Sequence, residues 1–139
     1  MALLITYFSH SGNTQKVAEM ILEKARKAEL DVVCKEVSDV SRDDIKTADR
    51  VVIGTPVHGL ILFAQHAAKP AINFVKSLPE NLQQKEFILF ATYLFFPSNA
   101  LVGIERTIQE KQGNVKAFIA MHRKKKEELA QAVYELISI

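Results

Sequence analysis

The chain has 139 residues, 48% of them hydrophobic and 24% charged, with a formal net charge of +2. That is enough apolar content for a full core and predicts one globular domain, residues 1–139, while so small a net charge makes no case for nucleic acid as a partner. Cys34 is the only cysteine, which excludes an intrachain disulfide and fits a reducing, cytoplasmic location.

In chain order, the first element is a strand over 2–8, the apolar run Leu3-Leu4-Ile5-Thr6-Tyr7-Phe8. No charged region or cleavage site precedes it, so the N-terminus is expected to be a strand and not a signal peptide. A helix follows over 13–28, with Val17, Ala18, Ile21, Leu22 and Ala25 at helical spacing and Glu23 and Lys27 as a supporting pair. Further strands are predicted at 32–37 (with Cys34 as inert core), 50–55, 87–92 and 115–121. The runs Val51-Val52-Ile53 and Phe87-Ile88-Leu89-Phe90 suit strands buried on both faces. Further helices are predicted around 65–77, with Pro70 in the first turn, and at 99–112 and 123–137. In the last, Leu129, Val133, Leu136 and Ile137 form one apolar face. Arg123-Lys124-Lys125-Lys126 reads as its solvated first turn. Residues 51–68 and 87–104 carry no Asp, Glu, Lys or Arg, but prolines, glycines and polar residues interrupt both. Neither is a membrane span.

Alternating strands and helices predict a three-layer, doubly wound α/β fold around a five-stranded parallel sheet. Right-handed crossovers place every strand-to-helix loop on one edge of that sheet, where ligands bind. Three loops emerge there: Ser9 to Thr14, Thr55 to Gln65, and Thr92 to Ser98. The first is the most informative, because Ser9-His10-Ser11-Gly12-Asn13-Thr14 joins a buried strand to a helix N-terminus. Three hydroxyls and an amide add donors to the free helical N–H groups, and Gly12 lets an anion approach the backbone. An ordinary helix cap and turn would use the same residue types. The loop lacks the spacing of triphosphate and dinucleotide loops, and it lacks a cysteine. A phosphate loop with two uncharged loops bearing rings suits a flat heteroaromatic phosphate ester.

Over essentially its whole length the chain resembles the short-chain flavodoxins. Ser9, Ser11, Gly12 and Thr14 match that family's Ser/Thr-x-Ser/Thr-Gly-x-Thr phosphate motif. Ile53-Gly54-Thr55-Pro56-Val57-His58-Gly59 resembles its second flavin loop, and Phe90-Ala91-Thr92-Tyr93 the entry to its third. The resemblance implies strand order 2-1-3-4-5, non-covalent FMN and one-electron transfer; flavodoxin is itself a standard example of ligand binding at the switch point of that order. It implies that Ser9, His10, Ser11, Gly12, Asn13 and Thr14 surround the ribityl phosphate, with the His10 side chain turned to solvent. Thr55, Pro56, Val57, His58 and Gly59 would border the isoalloxazine, with Gly59 near N5 and His58 either stacked on the ring or facing solvent. Thr92, Tyr93, Leu94 and Phe95 would close the other side, with Tyr93 either covering the ring or filling core.

Three features depart from the family pattern. There is no tryptophan, Leu94-Phe95-Phe96 replaces the usual glycine or acidic residue after Tyr93, and the net charge is positive. The carrier reading implies redox partner proteins, no nucleic acid and no stable membrane insertion. Leu60-Ile61-Leu62-Phe63 and Leu94-Phe95-Phe96 would offer apolar docking, a homodimer through these loops included. An FMN-dependent NAD(P)H or quinone reductase on the same fold is the enzymatic alternative, and a domain that has lost FMN is the third. His66 and His122 lack metal-ligand spacing, so no metal is expected.

Overall fold

A computed structural model describes residues 2–58, 66–94 and 101–138, excluding the side chains of His58 and His66. Its strands, numbered in chain order, are β1 (Ala2–Tyr7), β2 (Asp31–Glu36), β3 (Arg50–His58), β4 (His66–Ala67), β5 (Glu86–Tyr93) and β6 (Asn114–His122). Five of them pair in the order β2-β1-β3-β5-β6, all parallel. Counting parallel strands only, this is the expected 2-1-3-4-5. The two-residue β4 lies off this path, antiparallel to the end of β3.

The helices are α1 (Asn13–Lys27), α2 (Arg42–Thr47), α3 (Lys69–Lys76), α4 (Val102–Glu110) and α5 (Lys126–Ser138). Strand alternation divides the core into two layers. Leu3, Ile5, Val52, Ile88 and Phe90 pack with Val17 and Ile21 of α1 and with Leu129 and Val133 of α5. Leu4, Val51, Ile53, Phe87 and Leu89 pack with Ile45, Val75, Ile104 and Ile108 of α2, α3 and α4. Burying such strands on both faces is what their unbroken apolar runs require. Gly54 is fixed by this packing, because a Cβ there would overlap the Phe90 ring.

Four expectations need correction. Strand β3 continues to His58, so Thr55, Pro56, Val57 and His58 belong to a strand and not to a loop. Where a helix around 65–77 was expected, His66–Ala67 is a strand and α3 begins at Lys69, with Pro70 in its first turn. The last helix begins at Lys126, which leaves Arg123 to Lys125 in the turn before it. The helix α2 was not anticipated, because six residues hold too little of a 3.6 period. Its signal was a capping box: Ser41 Oγ accepts from Asp44 N–H at 3.1 Å, and Asp44 Oδ2 accepts from Ser41 N–H at 2.9 Å.

The lower end of the sheet engages four of the 18 lysines and arginines. Lys85 Nζ donates to the carbonyls of Lys46 and Ala48 at 3.2 and 2.6 Å, closing the end of α2. Lys111, almost wholly buried, donates to the carbonyls of Lys76 and Leu78 at 3.0 and 2.6 Å beyond α3. Lys116 donates to the Leu136 carbonyl at 2.9 Å and Arg50 to that of Ile137, both in the last turn of α5. Arg50 Nε also lies 2.7 Å from Glu86 Oε2. Cations at helix C-termini satisfy orphan carbonyls and the negative dipole end together. These four positive charges are engaged inside the fold.

Candidate functional site

The strand order reverses between β1 and β3, so the loops leaving those two strands flank the switch point. Phe8 N–H donates to the Gly54 carbonyl at 3.0 Å and ties the first loop to β3 as it leaves the sheet. Ser9 Oγ then accepts from Gly12 N–H at 3.1 Å, and Asn13 Nδ2 donates to Ser11 Oγ at 2.8 Å. Gly12 is the N-cap of α1 in the left-handed region, at φ 92°, which glycine adopts without a Cβ penalty.

The Ser9–Gly12 and Asn13–Ser11 bonds shape the turn, but no side-chain cap of α1 is present among the described residues. Among these residues a Cβ built on Gly12 would meet nothing within 4 Å, and the first turn holds no acidic residue. A helix start with uncapped first-turn N–H groups and its positive dipole end is suited to an anion. His10 is an exposed residue, and the loop holds no lysine or arginine.

Beneath the loop, Thr14 Oγ1 lies 3.0 Å from Thr92 Oγ1, both residues being buried. The contact joins the first predicted loop to the third. It leaves Thr14 a second hydrogen-bonding position, since a hydroxyl donates once and accepts twice. Thr55 Oγ1 accepts from Ala68 N–H at 3.0 Å and donates to the Pro56 carbonyl at 2.9 Å. Its hydroxyl therefore fastens the start of α3 to β3.

Pro56 and Val57 are half-buried, and His58 pairs through its backbone with His66. Thr92 and Tyr93 end β5, where the half-buried Tyr93 ring meets His122 edge to face, 5.7 Å between centroids at 77°. Sequence reading gave His122 no partner; the β5–β6 register, Tyr93 opposite His122, supplies one. Leu94 is exposed. Gly59 and Phe95, like Leu60 to Phe63 and Phe96, lie outside the described residues.

Electrostatically the surroundings are quiet. The phenol of Tyr7, at the end of β1, is raised above its ordinary range by burial first and then by Cys34 and Glu36. Thr6 Oγ1 is buried one residue earlier with no hydrogen-bond partner among the described residues. No group of three metal-ligating side chains occurs among them either. A concavity of about 360 Å³ lies between α2 and α3 and contains none of the predicted site residues.

A model of the family described as Flavodoxin domain matches residues 4–132. The chain is 41% identical over 56 residues to "Probable flavodoxin 1" of Bacillus subtilis, covering 40% of this chain and 35% of that protein. It is 29% identical over 89 residues to "Flavodoxin" of Clostridium beijerinckii, covering 64% of this chain and 62% of that one. These matches span about a third and just under two thirds of those relatives' lengths. The solution structure of two-electron reduced Megasphaera elsdenii flavodoxin superposes with a TM-score of 0.74, covering 96% of this chain and 98% of that one at 19% identity.

Proposed function

We propose that this chain, which belongs to the flavodoxin domain family, binds FMN and carries single electrons between redox partner proteins. The observation that carries this reading is the open start of α1. Gly12 turns the chain with positive φ, no side chain closes the helix, and hydroxyls and an amide gather at Ser9, Ser11, Asn13 and Thr14. These residues fit a ribityl phosphate bound through neutral donors.

When bound, FMN supplies reversible one-electron chemistry. The chain's residues position it and shield it. Ser9 holds the loop's turn through Gly12, Asn13 fixes Ser11, and Thr92 orients the Thr14 hydroxyl, which would be one of the groups that hold the phosphate. Pro56 and Val57, at the end of β3, and Tyr93 and Leu94, at and just after the end of β5, would border the ring on its two sides. The resemblance assigns His58, Gly59 and Phe95 to the same two borders. His10 remains at the solvent side. No helix among the described residues is long and apolar enough to cross a membrane, and the reading places the protein in the cytoplasm as one domain.

The test is a pair of titrations of the apoprotein with FMN and with riboflavin. Each anion donor left unpaired costs about 1–3 kcal/mol, so FMN should bind at least about tenfold more tightly. Equal affinities would overturn the reading. Rapid anaerobic bleaching of the loaded protein by NADPH alone would replace the carrier with the reductase.

A further inference from the structure

The turn between β6 and α5 carries Arg123, Lys124 and Lys125, with Lys126 opening the helix. A run of cations on a mobile turn would be an ordinary solvated surface. This turn is fastened at every residue. Arg123 N–H donates to the Tyr93 carbonyl at 2.8 Å, Lys124 N–H to His122 Nδ1 at 3.1 Å, and Lys125 N–H to the His122 carbonyl at 2.8 Å. Lys126 Nζ closes it by donating to the Arg123 carbonyl at 2.7 Å. The bond to Tyr93 sets the turn against the end of β5, at the entry to the third loop of the ligand edge.

The charges themselves are unengaged. Lys124 and Lys125 are exposed, and neither they nor Arg123 has an ion pair among the described residues. The cations at the opposite end of the sheet contrast with these, because Arg50, Lys85, Lys111 and Lys116 are bound to carbonyls. Glu127 and Glu128, next in sequence, line a shallow groove between α1 and α5 together with Lys24. On the other side of Tyr93 stands Leu94, an exposed apolar side chain. Cations carried on a fixed backbone turn beside an exposed apolar residue match the anatomy of a docking surface with a charged rim.

We propose that the β6–α5 turn is the docking surface of an acidic redox protein, steered to the ligand edge by Arg123, Lys124 and Lys125. The proposal rests on the carrier reading above and names the partner's chemistry. Because the turn is already ordered, a partner loses little entropy in fixing its backbone.

The test uses the full chain and two probes. Anisotropy of a fluorescein-labelled ten-residue polyglutamate should report saturable binding that weakens about tenfold between low and physiological salt. Lys124→Glu/Lys125→Glu should weaken it by a further tenfold or so, with unfolding unchanged because both side chains are exposed. Undiminished binding by the variant would overturn the proposal. Tighter binding of oligothymidylate of equal charge, by more than about tenfold, would overturn it in favour of nucleic acid. This arm needs no flavin, so a chain that fails to take FMN still decides it. With FMN loaded and reduced, the ratio of oxidation rates by ferricyanide and by hexaammineruthenium(III) should fall about tenfold in the variant. An unchanged ratio would overturn the steering while leaving FMN binding intact.

Discussion

Thr14 and Thr92, 78 positions apart in sequence, meet hydroxyl to hydroxyl at 3.0 Å beneath the loops of the ligand edge. One belongs to the first turn of α1 and the other to the end of β5, so the pair registers the anion loop against the third loop. Replacing either hydroxyl by a methyl leaves the other buried without its partner, at a cost of about 1–3 kcal/mol. Thr92→Val, which stands outside the anion loop, should lower stability in urea and weaken FMN binding several-fold. Thr14→Val should do both and weaken FMN further than Thr92→Val. If Thr92→Val alters stability with FMN affinity unmoved, the pair serves the fold alone.

Gly12 isolates the backbone contribution. No described residue comes within 4 Å of a Cβ placed there, so Gly12→Ala clashes with none of them. The remaining cost is the left-handed conformation, about 1 kcal/mol for alanine and less for asparagine. Urea midpoints should therefore fall in the order Gly12, Asn, Ala, and FMN affinity should follow the same order. A loss far larger for alanine than for asparagine would point to a contact from residues outside those described.

Thr6 tests whether the buried hydroxyl near the site has a use. With Oγ1 lacking a partner among the described residues, Thr6→Val keeps the shape and removes a desolvated polar group. We expect stabilisation of about 1 kcal/mol by denaturant titration, with FMN binding unchanged. Destabilisation, or weaker FMN binding, would show that the hydroxyl is engaged in the complete site.

Cys34 lies half-buried on β2, and burial pushes its thiol up to about 11, with Glu19 adding and Arg26 opposing. At pH 8 only about one thiol in a thousand is ionised, against roughly a quarter for an exposed cysteine. Alkylation by iodoacetamide should be about a hundred-fold slower than for a free thiol, rising about tenfold per pH unit up to pH 10. The raised value also sets a linkage sign. The contribution is fully present below the unfolded thiol's pKa and is lost as pH rises towards 11. Cys34→Ala should reduce the loss of stability in that window; rapid alkylation at neutral pH would contradict the burial.

The legible part of the fold was the part built from long apolar runs. Val51-Val52-Ile53 and Phe87 to Phe90 announced doubly buried strands because both faces of such strands are core. The end of β3 was hidden by Pro56, which reads as a strand breaker. Its place in the register explains the tolerance: pairing with β1 stops at Gly54 and pairing with β4 starts at Val57. Pro56 sits in the gap, where its missing N–H removes no ladder bond on that side. At the ligand edge, the turn between β1 and α1 was legible because strand run, turn residues and helical period follow one another directly. The Thr14–Thr92 and Tyr93–His122 contacts were not, since each depends on strand register. The carbonyl-capping cations were hidden for a related reason: a net charge of +2 gives no hint that four of the chain's cations cap carbonyls at one end of the sheet.

The long span between Thr14 and Thr92 also governs when the site can exist. A growing chain completes the Ser9–Thr14 loop well before the strand beneath it, which is not finished until Tyr93, with β6 later still. Contacts this distant in sequence form late, because the intervening loop must close first. The flavin should therefore not act as a template for early folding. It would bind the assembled sheet and stabilise it by mass action, so that cellular FMN supply would set how much of the finished protein stays folded.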